Sequence, residues 1–166
     1  MRIRPVTPGD AEGIDKINAK VREGRFTSFS AGQHESAEQL IAGLTQFDHM
    51  LVLETETDPQ EICAAVLIQV NHQIFLRRMA TLRVIVDQKW QGQGLGKALM
   101  ETALELADNE LMMERVEVEI PTDNVGALKL CKAVGFKVEG IAKDWMRNPE
   151  GHFVDAYLMA HCRNAK

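Results

Sequence analysis

The sequence predicts one α/β domain with a mixed sheet of about seven strands and about four helices. Segment 80–87 has apolar residues at every second position, the period of a strand, whereas segment 95–106 repeats them at helical spacing. A turn with alternating glycines, residues 91–97, joins the two segments. The chain has 166 residues, of which 45% are hydrophobic, and this is enough for one domain with a full core.

In the N-terminal half, strand and helix patterns alternate. Asp10 follows a turn and can cap a helix whose apolar face carries Ile14 and Ile17. Segment 22–34 is polar and contains glycines, which predicts a loop or an irregular helix. Segment 62–70 is nearly all apolar and is predicted as a central strand buried on both faces. The predicted elements of this half are strands at 2–6, 49–55, 62–70 and 77–87, and helices at 11–20 and 36–44.

The C-terminal half begins with a helix predicted at 94–110. Segment 116–120 alternates valine or isoleucine with glutamate, which predicts a strand with one polar face. Asp123 or Asn124 is expected to cap the next helix, and Gly135 is expected to close it. The last predicted elements are the two strands of a hairpin, at 136–147 and 152–161, joined by the turn at 148–151.

The composition argues against several classes of function. The formal net charge is −5, whereas nucleic-acid-binding proteins usually present a basic face. No apolar run is long enough to span a membrane, and the N-terminus has no signal-peptide pattern, so we expect a cytoplasmic protein without a membrane partner. Cys63, Cys131 and Cys162 are far apart, and the histidines form no H-x-x-x-H pair, so we expect no metal site.

The glycine-rich turn predicts a site for an anion. Its backbone N–H groups and the positive end of the following helix dipole suit phosphate oxygens. Its spacing is not that of a P-loop, because Gln91 stands where the first glycine would be and Ala98 replaces the hydroxyl residue. Nor is it a dinucleotide fingerprint, because Gly92, Gly94 and Gly96 alternate and about ninety residues precede them.

Two motifs resemble the GNAT superfamily of N-acetyltransferases. Residues 91–96, Q-G-Q-G-L-G, resemble the signature Q/R-x-x-G-x-G/A, which binds the pyrophosphate of acetyl-CoA in that superfamily. Residues 124–136, N-V-G-A-L-K-L-C-K-A-V-G-F, resemble its segment N-x-x-A-x-x-L-Y-x-x-x-G-F. The final hairpin is similar to that of the amino-acid, phosphinothricin and polyamine acetyltransferases. The resemblance extends over residues 77–160, whereas residues 1–76 match only in element order.

The resemblance implies acetyl-CoA as a cosubstrate. Its pantetheine would pair with the backbone of Val84–Val86, and its pyrophosphate would accept hydrogen bonds from the N–H groups of residues 93–97. Lys97 could add positive charge there, or it could be an ordinary solvated lysine of the helix. The residues that the resemblance assigns to acetyl-CoA are Val84, Ile85, Val86, Gln91, Gly92, Gln93, Gly94, Leu95, Gly96, Lys97, Asn124 and Ala127.

The resemblance also points to residues for the chemistry. An amine must lose a proton before it attacks, because an alkylammonium has a pKa of about 10. Glu119 matches the position of a base proposed in ribosomal-protein N-acetyltransferases, with Glu117 as the reserve, and an exposed or ion-paired glutamate is the alternative for both. Thr81 stands where many members have an acidic residue. Cys131 stands where many have a tyrosine that protonates the CoA sulfur; it could act as that acid, but we expect it only to pack.

Two functions remain open at this point. The first is an N-acetyltransferase that transfers the acetyl group of acetyl-CoA to a primary amine of a small molecule or peptide, by direct attack in a ternary complex. The second is a non-catalytic acetyl-CoA-binding module or sensor. Loss of the tyrosine favours the second mildly, whereas Asn124 and Glu119 argue against it. The sequence does not identify the amine acceptor, and it leaves a homodimer open.

Overall fold

Seven strands form one mixed sheet in the computed structural model, which describes residues 1–23, 36–76, 78–148 and 150–163. The strands are β1 (Arg2–Pro5), β2 (His49–Glu54), β3 (Ile62–Val70), β4 (Met79–Val86), β5 (Arg115–Pro121), β6 (Lys137–Arg147) and β7 (Phe153–Cys162). The α-helices within the described ranges are α1 (Ala11–Glu23), α2 (Ala37–Ala42), α3 (Leu95–Glu105) and α4 (Val125–Ala133). The predicted α/β class and its count of elements are confirmed.

The predicted elements all form, with small differences at their ends. α1 continues to Glu23, beyond its predicted end, because Val21 extends the apolar face of the helix and is buried. The predicted loop at 22–34 lies outside the described residues from residue 24 onward. α3 ends earlier than predicted and is followed by a π-helical turn, Leu106–Glu110.

The sheet has two antiparallel parts joined by one short parallel pairing. Its strand order is β1-β2-β3-β4-β5-β7-β6. Neighbours from β1 to β4 are antiparallel, and so are β5 with β7 and β7 with β6. β4 and β5 are parallel, and they pair only through Met79 with Arg115, Ala80 with Val116 and Thr81 with Glu117. Beyond these pairs a gap opens between the C-terminal ends of β4 and β5.

Helices cover both faces of the sheet. Because side chains alternate along a strand, Leu82 of β4 joins the core beneath α3 and α4, whereas Ile85 joins the core beneath α1 and α2. Leu99 of α3 belongs to the first core, and Ile17 of α1 belongs to the second. None of the described helices is long and apolar enough to cross a membrane.

A buried cluster of charges fastens the first strand. Arg4 donates from Nη1 to Oδ2 of Asp10 at 2.7 Å and from Nη2 to Oε2 of Glu54 at 2.6 Å. The side chains of Asp10 and Glu54 are only 8% and 3% exposed. Hydrogen bonds from the Arg4 guanidinium, and further ones from Thr7, hold the pKa of Asp10 below its usual range despite its burial. The cluster therefore joins β1, β2 and the start of α1.

Candidate functional site

A cleft of about 440 Å³ lies where β4 and β5 separate. Its walls come from β4, the glycine-rich turn and α3 on one side and from β5 and α4 on the other, and Val21 of α1 also contributes. All the residues predicted to hold acetyl-CoA line this cleft except Gln93 and Leu95. Glu119 and Cys131, the two residues predicted for the chemistry, line it as well. The fold thus brings together motifs that are separate in the sequence.

Hydrogen bonds from side chains to the backbone shape the turn between β4 and α3. Asp87 begins a short 3₁₀ turn and accepts the N–H of Lys89 at 3.1 Å. Gln91 donates from Nε2 to the carbonyl of Val86 at 3.0 Å. Gln93 donates from Nε2 to the carbonyl of Lys89 at 3.0 Å. Both glutamine side chains thus hold the turn, and only Gln91 also lines the cleft.

Gly92 and Gly94 give the turn a backbone that other residues rarely adopt. Their φ angles are +74° and +79°, in the left-handed region. A Cβ atom added at either position would have no other atom of the protein within 4 Å, so the space beside this backbone is open. Gly94 is also the N-cap of α3 and supplies no side-chain hydrogen bond to it. The start of α3 therefore presents backbone donors and a positive dipole end to the cleft.

Gly96 has a different task from the other two glycines. A Cβ atom there would lie 3.2 Å from Cγ2 of Val86 and 3.3 Å from Cδ2 of Leu130. Such distances are tighter than ordinary van der Waals contact. The missing side chain lets α3 approach both β4 and α4, and this close approach brings the turn next to β4.

The helix α4 carries two residues of the cleft with different surroundings. Asn124 caps the helix, and its Oδ1 accepts the N–H of Ala127 at 3.0 Å. Cys131 is 1% exposed and packs in the core beneath α3 and α4. Burial raises the pKa of its thiol to about 12. The thiol therefore lies at the edge of the cleft but is a weaker acid than an ordinary cysteine.

Glu119 lies on the face of β5 opposite to Val118 and lines the cleft. Its side chain is exposed to solvent within the cleft. Partial desolvation and the negative charge of Glu117 raise the pKa of Glu119, and the positive charge of Arg83 opposes this shift. Glu117 is paired instead with Arg115, whose Nε donates to its Oε1 at 2.6 Å, and it is not part of the lining. Of the two glutamates on this face, Glu119 is the one in the cleft.

Sequence reasoning missed Arg83, which also lines the cleft. Arg83 comes two residues after Thr81 on β4, and Glu119 comes two residues after Glu117 on β5. Because side chains alternate along a strand, Arg83 and Glu119 share a face of the sheet. Arg83 donates from Nη2 to Oε1 of Gln69 on β3. The signal in the sequence was an arginine within the otherwise apolar stretch L-R-V-I-V.

Sequence reasoning also missed the link between α1 and the short 3₁₀ turn that leads into the glycine-rich turn. Nζ of Lys20 lies 2.6 Å from Oδ2 of Asp87, whose side chain is 4% exposed. Burial alone would raise the pKa of Asp87, but the Lys20 ammonium and the N–H of Lys89 hold it below its usual range. The sequence carries no direct signal for this ion pair because its members are far apart along the chain and meet only after folding.

Comparison with known families establishes the family of this protein. The profile of the acetyltransferase (GNAT) family matches residues 18–136, well over half of the chain. The chain belongs to this family. It is 38% identical over 86 residues to the L-amino acid N-acetyltransferase AaaT of Escherichia coli K12. That match spans 51% of this chain and only 52% of the relative. The chain therefore spans about half the length of this curated relative.

Solved structures support the GNAT fold over nearly the whole chain. The acetyltransferase of the GNAT family from Streptococcus pneumoniae has a TM-score of 0.83 and 25% identity, covering 98% of this chain and 99% of that one. A putative phosphinothricin N-acetyltransferase has the same TM-score of 0.83 at 20% identity, covering 99% of both chains. The predicted resemblance to the superfamily is therefore confirmed.

Proposed function

We propose that this GNAT chain transfers the acetyl group of acetyl-CoA to the primary amine of a small molecule or a peptide, by direct attack within a ternary complex. The observation that carries the proposal is the cleft, which joins the glycine-rich turn, the open side of β4 and Glu119 in one continuous space. An anion-binding turn and a proton-accepting carboxylate on either side of one opening are parts that acetyl transfer to an amine requires.

The glycine-rich turn fits the pyrophosphate of acetyl-CoA. The open space beside Gly92 and Gly94 lets an anion approach the backbone, and the N–H groups of residues 93–97 would hold it. Lys97 lines this end of the cleft and adds a positive charge. The pairing of β4 with β5 ends at Thr81, so the pantetheine amides would pair with the backbone of Val84–Val86.

Glu119 is the proposed base. It would accept a proton from the acceptor ammonium, directly or through water. Its raised pKa makes its carboxylate a stronger base than that of an ordinary glutamate. The freed nitrogen then attacks the thioester carbonyl, the C–N bond forms, the C–S bond breaks, and coenzyme A leaves as a thiolate. The second proton of the nitrogen passes through water to that thiolate, which leaves a neutral amide. Orientation of the two substrates in the cleft would supply much of the rate, on the order of 7–11 kcal/mol.

Cys131 is proposed to pack rather than to protonate the leaving thiolate. A thiol with a pKa of about 12 is a poorer proton donor than an ordinary cysteine, and its side chain is almost fully buried. Water in the cleft would provide the proton instead.

We also propose a cytoplasmic location, because the three cysteines are all unpaired.

Amino acids are the first acceptors to test. The Escherichia coli relative is named for L-amino acids, and the second solved structure described above is named for phosphinothricin, which is itself an amino acid. An assay that detects free coenzyme A with a thiol-reactive dye, run over amino acids, polyamines and short peptides, would identify the acceptor class. If acetyl-CoA binds but no amine releases thiol, the chain is a binding module or sensor.

Glu119→Gln tests the proposed base. It should lower turnover by roughly 10²–10⁴-fold, because the carboxamide cannot accept the amine proton. Acetyl-CoA affinity, measured by calorimetry, should barely change. Glu117→Gln is the matched control on the same face of β5, and it should keep most of the turnover. The proposal for Glu119 fails if the two variants show the reverse pattern.

A further inference from the structure

Three charged side chains among the described residues line the cleft, and they divide into two groups. Lys97 lies at the glycine-rich turn, where the proposed pyrophosphate site is. Arg83 and Glu119 lie on β4 and β5, where these strands separate. The part of the cleft away from the turn therefore has one cation and one anion.

The spacing of Arg83 and Glu119 follows from the register of the sheet. Thr81 and Glu117 form the last pair of β4 and β5, and each charged residue comes two positions later on its strand. Paired strands lie about 4.8 Å apart, and the gap widens beyond the last pair. The two side chains therefore share one face of the sheet and line the same opening between the separating strands.

Arg83 is suited to recognise a carboxylate. Its planar guanidinium has five N–H donors in a fork that matches the two oxygens of a carboxylate. Gln69 on β3 accepts one hydrogen bond from it and so fixes its direction, and the Arg83 side chain is half-buried. A half-buried guanidinium held in place binds a carboxylate more strongly than a freely moving surface arginine does.

We propose that the acceptor is an amino acid, whose carboxylate binds Arg83 while its amine faces Glu119. This inference rests on the proposed acetyl transfer and names its substrate class. A simpler role for Arg83 would be to adjust the charge balance around Glu119, since its positive charge favours the ionised carboxylate. The two roles differ in what they predict for amines that lack a carboxylate.

Matched acceptors separate the two roles. Thiol release by the full chain would be measured with L-amino acids, with their methyl esters, and with the corresponding amines that lack the carboxyl group. Arg83→Gln should lower kcat/KM for the amino acids about 10- to 100-fold, mainly through KM, because a charge-assisted hydrogen bond is lost. The esters and simple amines should lose much less, because for them only the pKa of Glu119 changes. Arg83→Lys should recover part of the loss, since it keeps the charge but not the fork.

Controls address folding and charge. Arg78→Gln removes an exposed arginine that is paired with Glu114 outside the cleft, and it should change no acceptor's kinetics. Thermal melting and acetyl-CoA binding would verify that Arg83→Gln is folded. Equal losses for amino acids and esters, together with a shifted pH profile, would assign Arg83 to the simpler role and overturn the proposal.

Charge reversal provides a positive test. Arg83→Glu should make amino acids poor acceptors and should raise kcat/KM for diamines relative to amino acids, by more than about 100-fold, because the site then has two carboxylates. If the ratio of diamine to amino-acid acetylation is unchanged, Arg83 does not contact the far end of the acceptor and the proposal is wrong.

Binding separates this inference from the proposed function. Calorimetry with coenzyme A present would compare an L-amino acid with its methyl ester on the wild type and on Arg83→Gln. If no amine releases thiol, the proposed function fails, but preference for the amino acid that is lost in the variant still supports the carboxylate site. Equal binding of acid and ester by the wild type overturns it, whatever the turnover.

Discussion

At the scale of single residues, Cys131 shows how burial changes what a side chain can do. Its position in the sequence matches a tyrosine that other family members use as an acid, but its thiol is buried and its pKa is raised to about 12. A matching position in a motif therefore does not transfer the role of proton donor when a tyrosine is replaced by a buried cysteine.

Cys131→Ala should cost stability and leave turnover unchanged. Removing a buried sulfur should lower the free energy of unfolding by about 1 kcal/mol. Cys63→Ala is a matched control, because Cys63 is equally buried and does not line the cleft. Urea unfolding and turnover would be measured on the same samples. A large loss of turnover in Cys131→Ala alone would show that the thiol takes part in the reaction.

The pH dependence of activity should report on Glu119. Because the base must be ionised, activity should fall as the pH drops through the pKa of Glu119, and that pKa is raised partly by Glu117. Glu117→Gln removes a neighbouring negative charge, so the acidic limb of the kcat/KM profile should move to lower pH. Glu139→Gln should leave the limb in place. Glu139 forms an exposed pair with Arg115 and is not among the charges that shift the pKa of Glu119. A limb that moves to higher pH in Glu117→Gln would contradict this assignment.

Residues of the site differ in how far the sequence could predict them. Glu119 was proposed because its position matches a base in the family resemblance. The alternation of glutamate with apolar residues placed it on the polar face of a strand, and the structure has it there. Arg83 could not be assigned a role, because its partners Gln69 and Glu119 lie on other strands. The pairing of Lys20 with Asp87 depends on how α1 packs across the sheet, which periodicity does not report.

At the scale of elements, the glycine-rich turn combines two demands. Its alternating glycines keep the backbone open toward the cleft at Gly92 and Gly94, while Gly96 lets α3 pack against β4 and α4. The sequence predicted the first role from the spacing of the glycines. It could not predict the second, because the neighbours of Gly96 belong to β4 and α4 and meet it only in the folded chain.

Gly94→Glu should weaken acetyl-CoA binding by at least about 100-fold, because it puts a negative charge and a side chain where the pyrophosphate would lie. The protein itself leaves room for this side chain, so the effect should come from the ligand and from the left-handed backbone. Calorimetry with acetyl-CoA would measure it.

Gly151→Glu is the matched control for this change. Gly151 also has a left-handed φ, +84°, and open space around it, but it lies in the turn between β6 and β7. Each variant should lose about 1–2 kcal/mol of stability from the strained backbone. Only Gly94→Glu should lose affinity for acetyl-CoA. Equal affinities in the two variants would locate the pyrophosphate elsewhere.

At the scale of the whole molecule, the order of elements was largely predictable and their long-range links were not. Each strand and helix has its own period in the sequence, and these periods predict the seven strands and four α-helices found within the described residues. The three-residue contact between β4 and β5, which opens the cleft, depends on how two halves of the chain meet. No local pattern around Thr81 or Glu117 indicates where their pairing stops.

Arg4→Met should destabilise the fold by about 3–5 kcal/mol at neutral pH, because it leaves the buried carboxylates of Asp10 and Glu54 without their cation. The lowered pKa of Asp10 stabilises the wild type above the ordinary carboxyl pKa, and this stabilisation is lost as the pH falls through the lowered value. The difference between variant and wild type should therefore shrink toward acidic pH.

Urea unfolding across this pH range would measure the effect. Arg78→Met is the comparison, because Arg78 and Glu114 form an exposed pair with 66% and 63% of their side chains accessible. An exposed pair of this kind contributes at most about 1 kcal/mol. If the two variants lose the same stability, the Arg4 cluster does not fasten the first strand.

The chain passes only once from one antiparallel part of the sheet to the other, between β4 and β5. All strands of one antiparallel part precede residue 87 and all strands of the other follow residue 114, and between them lies the exposed Met112. A gene cut at Met112 would encode one fragment with the glycine-rich turn and another with Glu119, so neither would hold a whole site. A ligand that binds only the joined pair would draw the fragments together by mass action. Their reassembly could then serve as a genetically encoded sensor of acetyl-CoA.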